Sequence, residues 1–259
     1  MKETRNRLKQ AKRIVVKVGS RVLVDETGKP DHERIFALVT GIITAHETGR
    51  EMILVSSGAI AAGIEALGMT TRPTALPDLQ MAAAVGQTRL MSLYNHLFGQ
   101  HHILTGQVLL TEALFHIASG STNAKNTLQN LITHKIIPII NENDAVSTEE
   151  ITFGDNDVLA ARVSTLMEAD ALILLTTTDG LKDDDGQRVP FIEQVSDDIL
   201  ALDKGANGHL STGGMKSKLM AAAKAAESDI PVIIADGQIE GVIQNILAGE
   251  DTGTLIVSR

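Results

Sequence analysis

Residues 14–20 read Ile-Val-Val-Lys-Val-Gly-Ser. The apolar run Ile14 to Val18 is too short for a helix and rich in Ile and Val, so it reads as a strand. The same kind of run returns at Met52 to Val55, Gln107 to Leu110, Ile136 to Ile140, Ala171 to Leu175, Val232 to Ala235 and Leu255 to Val257. Between the runs lie helical spacings: His32 to His46, Leu79 to Phe98, Asn123 to His134, Asp157 to Glu168, Met215 to Glu227 and Ile239 to Leu247. Strands that alternate with helices predict βαβ units, a mainly parallel sheet and right-handed crossovers, with helices on both faces. Thr70 to Pro77, with two prolines, reads as a loop, and Asp183 to Pro190 as the turn of a hairpin.

Composition agrees. Hydrophobic residues make up 43% and charged residues 21% of 259, which is ordinary for a globular chain. Aromatics are only 2%, so the core is to be built from Val, Ile, Leu, Ala and Met, which suits parallel strands buried on both faces. There is no cysteine, which excludes disulfides, thiolate metal sites and cysteine nucleophiles and fits a cytoplasmic setting. A net charge of −9 speaks against nucleic-acid binding, and no apolar run approaches the ~18 residues of a membrane span. The basic start (Lys2, Arg5, Arg7, Lys9, Lys12, Arg13 against Glu3) has no apolar segment behind it and is expected to be a solvated lead-in. With no repeat or linker, residues 1–259 are expected to form one domain. Two lobes, approximately 1–168 and 169–259, would share one sheet.

Five segments are candidates for chemistry. Lys17 lies in an apolar strand at the end where α/β proteins bind ligands, and Gly19 would allow close backbone approach; the alternative is a lysine reaching solvent. Ser56-Ser57-Gly58-Ala59 is a small polar turn between strand and helix, able to bind an anion or simply to turn. Asn141-Glu142-Asn143-Asp144 closes a buried strand with groups suited to an amino acid. Gly154-Asp155-Asn156-Asp157 opens a helix, and capping would account for one acid but not for two acids and an amide. Ser211 to Lys218 is a Gly-rich entry to a helix that places Lys218 near a helix N-terminus, where cations are unusual unless a phosphate is present. The spacing is not that of a Walker A loop, and no GxGxxG, HRD or DFG element occurs. The histidines have no metal-ligand spacing.

In order, Val-Lys-Val-Gly, Ser-Ser-Gly-Ala-Ile-Ala-Ala-Gly, Asn-Glu-Asn-Asp-Ala-Val, Gly-Asp-Asn-Asp and Thr-Gly-Gly-Met-Lys-Ser-Lys resemble the amino-acid kinase family. Ala84 to Leu90 is similar to the helix that follows its substrate loop. The Ser57–Gly63 and Asn141–Asp157 segments resemble the branch that phosphorylates the side-chain carboxylate of glutamate to L-glutamyl 5-phosphate, the first step of proline synthesis. The resemblance implies a three-layer αβα sandwich with a mainly parallel central sheet. It implies that Lys17 and Lys218 stabilise the transferring phosphoryl group and that Asp157 holds both lysines. Ser57, Asp144 and Asn156 would bind L-glutamate, helped by Gly58 and Ala59. Lys17, Gly19, Thr176, Thr177, Thr212, Gly213, Gly214, Met215, Lys216, Ser217 and Lys218 would line the nucleotide site. ATP would carry Mg²⁺ on its own oxygens, with no metal ligands from the protein. Proline as feedback inhibitor and a homo-oligomer, dimer or tetramer, follow from the same resemblance. Many bacterial members carry a C-terminal PUA domain; with the last residue at Arg259, that domain is expected to be absent. Two positions depart from the pattern: Thr176-Thr177-Thr178-Asp179 stands where relatives have Thr-Asp, and Arg21 where they have a small residue.

Overall fold

A computed structural model of the chain describes residues 2–146, 156–202 and 214–257. In chain order the described elements are α1 (Lys2–Leu8), β1 (Arg13–Val18), α2 (Ser20–Leu23), α3 (His32–Glu47), β2 (Glu51–Ser56), α4 (Ala59–Ala66), α5 (Leu76–Gly99) and β3 (Thr105–Leu110). There follow α6 (Glu112–Phe115), α7 (Ala118–Thr133), β4 (Ile137–Glu142), α8 (Asn156–Leu166), β5 (Ala171–Thr176), β6 (Phe191–Ile192), α9 (Asp197–Ala201), α10 (Met215–Ala226), β7 (Val232–Asp236), α11 (Val242–Leu247) and β8 (Thr254–Ile256).

The strands form one sheet in the order β3-β4-β2-β1-β5-β7-β8-β6. Every pairing is parallel except β7 with β8, which run antiparallel. Strand β6 has two residues, too few for an apolar pattern to reveal. The hairpin reading holds: Lys182 bridges Arg188 across a turn in which the Asp183 carboxylate accepts from the Asp185 and Gln187 N–H groups.

Alternation along the strands divides the core into two layers. Ile14, Val16 and Val18 of β1 join Met52 and Leu54 of β2 beneath α3, α5 and α11, whose buried residues include Ile42, Tyr94 and Ile246. Val15, Ile53, Val55 and Leu174 face the opposite way, onto α7, α8 and α10 through Leu128, Ala160, Leu219 and Ala222. Helices on both faces of the sheet make the expected αβα sandwich. Lys17 has the parity of Val15, so its side chain belongs to the layer of α8 and α10.

Small residues set the helix spacing near the strand ends. Gly63 of α4 and Gly86 of α5 pack against each other's helices without room for a side chain. A Cβ on Gly63 would lie 1.8 Å from the Ala82 carbonyl oxygen, and one on Gly86 would lie 1.7 Å from that of Ala59. In the other layer, buried Ala160 and Ala161 of α8 and Ala221, Ala222 and Ala225 of α10 let those two helices approach closely.

The basic N-terminus is not a solvated lead-in. It forms α1, with Leu8 and then Ala11 buried in the core. Arg5 is itself buried. Its guanidinium donates to the carbonyls of Glu250 and Thr252 at 2.9 Å and of Pro190 and Gly253 at 3.1 Å, and pairs with Asp251 at 2.8 Å. The terminal nitrogens of the planar fork suit such a set of carbonyls, while Nε makes no hydrogen bond among the described residues, and this cation ties the first helix to the loops that lead into β6 and β8.

Candidate active site

The site is built at the C-terminal ends of the central strands, the usual place for a ligand in an open parallel sheet. Register fixes what meets there: Lys17 is opposite Val55 on one side and Leu174 on the other, Val18 is opposite Ser56 and Leu175, and Val55 is opposite Ile140. The polar residues Ser56 and Asn141 therefore fall next to each other, one step beyond Lys17.

Asp157 stands in the first turn of α8, fully buried above β1. Its Oδ1 lies 2.5 Å from Lys17 Nζ, and its Oδ2 accepts from Lys218 Nζ at 2.9 Å. Both lysine side chains are about as buried as the core around them. A carboxylate and two ammonium groups are costly to take out of water, and the pairing offsets only part of that cost. Lys17 spends one of three donors on Asp157, and its others make no hydrogen bond among the described residues. A Cβ at position 19 would sit 3.8 Å from Lys17 Nζ, so glycine keeps the space in front of that ammonium open.

Asn156 is not a cap. Its Nδ2 donates to Ser57 Oγ and to Asn141 Oδ1, both at 2.9 Å, and to the Ser56 carbonyl at 3.3 Å. Its Oδ1 accepts from the Glu142 N–H at 3.3 Å. Asn141 Nδ2 donates in turn to Gln87 Oε1 at 2.9 Å. One amide thus links the ends of β2, β4 and α8. Beyond it lies a pocket of about 260 Å³ between α4, α5 and the ends of β3 and β4, lined by Ala59, Gln87, Thr88, Gln107, Asn143 and Asp144 among others. The size suits a small molecule.

Of the acid-site residues expected from the sequence, Ser57 and Asn156 are bonded to each other, and Ala59 and Asp144 line the pocket. Gly58 joins them through a left-handed backbone at φ 104°, which glycine adopts at little cost, and stands at the uncapped N-terminus of α4. On the nucleotide side, Thr176 ends β5 and its carbonyl accepts from the Gly237 N–H at 2.8 Å, with Thr177 following. Gly214 precedes α10 without a side-chain cap, and Met215, Lys216, Ser217 and Lys218 form the first turn. Ser217 Oγ is buried and makes no hydrogen bond among the described residues, a donor set at a helix N-terminus where an anion is favoured. Thr212 and Gly213, like Gly154 and Asp155, lie outside the described residues.

The sequence reading missed Asn141 as the centre of the amide network and gave no role to Gln87. An asparagine one step past an apolar strand was the available signal. Among the described residues no cluster of three or more His, Asp or Glu could hold a metal ion, and no helix is long and apolar enough to cross a membrane.

A model of the amino acid kinase family matches residues 12–236. Glutamate 5-kinase of Moorella thermoacetica is 42% identical over 264 residues, spanning 100% of this chain and 70% of that protein. Glutamate 5-kinase of Clostridium acetobutylicum is 42% identical over 258 residues, spanning 97% of each. Among solved structures, carbamate kinase from Giardia lamblia bound to AMP-PNP superposes with a TM-score of 0.66 at 19% identity, covering 97% of this chain and 100% of that one. The UMP kinase of Bacillus anthracis superposes with a TM-score of 0.63 at 15% identity, covering 95% and 96%.

Proposed function

Because the chain belongs to the amino acid kinase family, we propose that it transfers the γ-phosphoryl group of ATP to the side-chain carboxylate of L-glutamate, giving L-glutamyl 5-phosphate and ADP. The observation that carries this reading is Asp157 held between Lys17 and Lys218 at the strand ends, beside a pocket with an acid and amides on its wall.

The acceptor carboxylate is already ionised near neutral pH, so no general base is needed. Catalysis then rests on alignment and on cations placed where charge builds up. Asp157 fixes the two ammonium groups, one from β1 and one from α10, and the phosphoryl group passes between them. Both Asp157 oxygens already face lysines, so a Mg²⁺ ion would be held by ATP oxygens and water.

Glutamate would present its ammonium to Asp144 and its carboxylates to Ser57 Oγ, Asn156 and the Gly58 and Ala59 N–H groups. ATP would lie across Gly19, Thr176, Thr177 and the turn that runs through Thr212 and Gly213 into Gly214–Lys218, with Met215, Lys216 and Ser217 along its phosphates. Residues 1–168 and 169–259 would then divide acid from nucleotide across one sheet. Inhibition by proline and assembly into a homo-oligomer belong to the same reading, and ADP release against proline and light scattering measure them.

The deciding experiment is ADP release by the purified chain with a panel of acids. Release that depends on L-glutamate, and not on aspartate, carbamate or N-acetylglutamate, is expected. Preference for another acid would overturn the substrate assignment, and acid-independent silence would overturn the activity.

A further inference from the structure

One buried polar pair lies behind the site and has no part in the chemistry above. Ser56, the last residue of β2, faces the α5 layer, and its Oγ is 2.8 Å from the hydroxyl of Tyr94. Both residues are buried. The Ser56 hydroxyl also bonds the Ser57 carbonyl at 3.0 Å. A carbonyl only accepts, so the single Ser56 proton goes to it, and the Tyr94 hydroxyl must be the donor to Ser56. Burial pushes the Tyr94 phenol well above its ordinary value, which keeps it a donor at any working pH.

The relay ends on one peptide plane. The Ser57 N–H is fixed by the Val18 carbonyl at 3.2 Å, and the Ser57 C=O by Ser56. In a trans peptide the following N–H points opposite to the C=O. Holding the Ser57 carbonyl back toward Ser56 therefore turns the Gly58 N–H outward over the strand ends, where Ser57 Oγ and Asn156 meet. Gly58 itself has a permissive left-handed backbone and would not hold that plane alone. Helix α5, which supplies Tyr94, is locked to α4 by the Gly63 and Gly86 contacts, so donor and loop keep one spacing.

We propose that Tyr94 and Ser56 are positioning residues for the acid acceptor: their hydroxyl relay sets the Ser57–Gly58 peptide plane that presents the Gly58 N–H to the carboxylate. The inference rests on the phosphotransfer reading only for what is bound, not for the relay itself.

Tyr94→Phe removes one hydroxyl and leaves the ring beside Phe98, its neighbour at 6.5 Å between centroids. The expected result is a rise in KM for the acid acceptor of about 3- to 10-fold, the usual weight of one hydrogen bond, with kcat and the KM for ATP within about twofold. Ser56→Ala should raise the same KM, and the double variant should be no worse than Ser56→Ala alone, because both act through one peptide. Ser56→Thr, which keeps the hydroxyl, should restore it. In ¹⁵N-labelled protein without substrate, the Gly58 amide resonance should move in Tyr94→Phe. A lowered Tm with an unchanged KM and an unmoved Gly58 resonance would overturn the relay. Wild-type protein that phosphorylates no acid would instead overturn the parent reading, and the Gly58 resonance would still decide the relay.

Discussion

Arg5 and Lys17 are both buried cations in a chain whose core is almost wholly aliphatic, yet they sit in opposite kinds of surroundings. Both terminal nitrogens of Arg5 are taken: four carbonyls and Asp251 hold them and join the first helix to the loops that lead into β6 and β8. Lys17 has one carboxylate, shared with Lys218, and open space kept in front of it by Gly19. A buried cation whose terminal nitrogens are all held by backbone carbonyls stabilises a fold. A buried cation with spare donors beside a cleft is placed to meet an incoming anion. The difference separates structure from chemistry where charge and burial alone do not.

The sharpest way to break this comparison is to remove the cation from each region and read both rate and stability. Lys218→Ala should lower kcat by roughly 10²–10³ while changing the KM for glutamate far less, as expected for a preorganised charge contact used in transfer. An unchanged kcat would remove Lys218 from the chemistry. Asp144→Ala comes next and should mainly raise the KM for glutamate, since loss of a charged partner typically costs about 1.5–3 kcal/mol of binding; a normal KM with a low kcat would contradict its assignment to the pocket.

Arg5→Ala should do the reverse of Lys218→Ala. It should cost about 2 kcal/mol of stability, seen as a fall in Tm, with the kcat of the folded protein unchanged. A folded Arg5→Ala enzyme with impaired kcat would erase the distinction between the two regions. The smallest effect concerns pH. Hydrogen bonding to Arg188 foremost, with Arg5 also near, holds the Asp251 carboxyl below its ordinary value of 3.8 against a partial desolvation penalty. A depressed carboxylate contributes stability that is present above its unfolded value and is lost as pH falls through the folded one. Wild-type Tm should therefore fall more than that of Asp251→Asn as the solution is taken below about pH 4. Parallel curves would show that the Asp251 pair adds nothing to the clamp.

How much of this could be read from the sequence depended on distance along the chain. The strands β1, β2, β4, β5 and β7 were legible because strands buried on both faces leave continuous Ile, Val and Leu. Strand β6 was not, having only two residues, and α1 was hidden because seven mostly polar residues make no apolar stripe. Lys17 was conspicuous as a charge inside such a run, and its parity with Val15 predicts the layer it enters. Its partner was legible only through the family resemblance, because Asp157 lies 140 positions away and nothing local links them. Asn156 was legible as a binding residue through the resemblance, and only the fold shows its amide spanning Ser57 and Asn141. The Tyr94 relay carried no sequence signal at all: a tyrosine on an apolar helix face looks like core, and its hydroxyl gains a role only once β2 is packed beneath it.

Carboxylate attack on phosphorus is the central claim, and it leaves an isotopic record. L-glutamate labelled with ¹⁸O in its side-chain carboxylate is incubated with the protein and MgATP, and the acyl phosphate is trapped with hydroxylamine. Hydroxylamine attacks the carbonyl carbon, so the bridging oxygen leaves with phosphate. Transfer between Lys17 and Lys218 onto the carboxylate predicts one ¹⁸O in each phosphate released, together with glutamyl hydroxamate. Phosphate without ¹⁸O, formed without hydroxamate, would mean that water and not glutamate takes the phosphoryl group, and would contradict it.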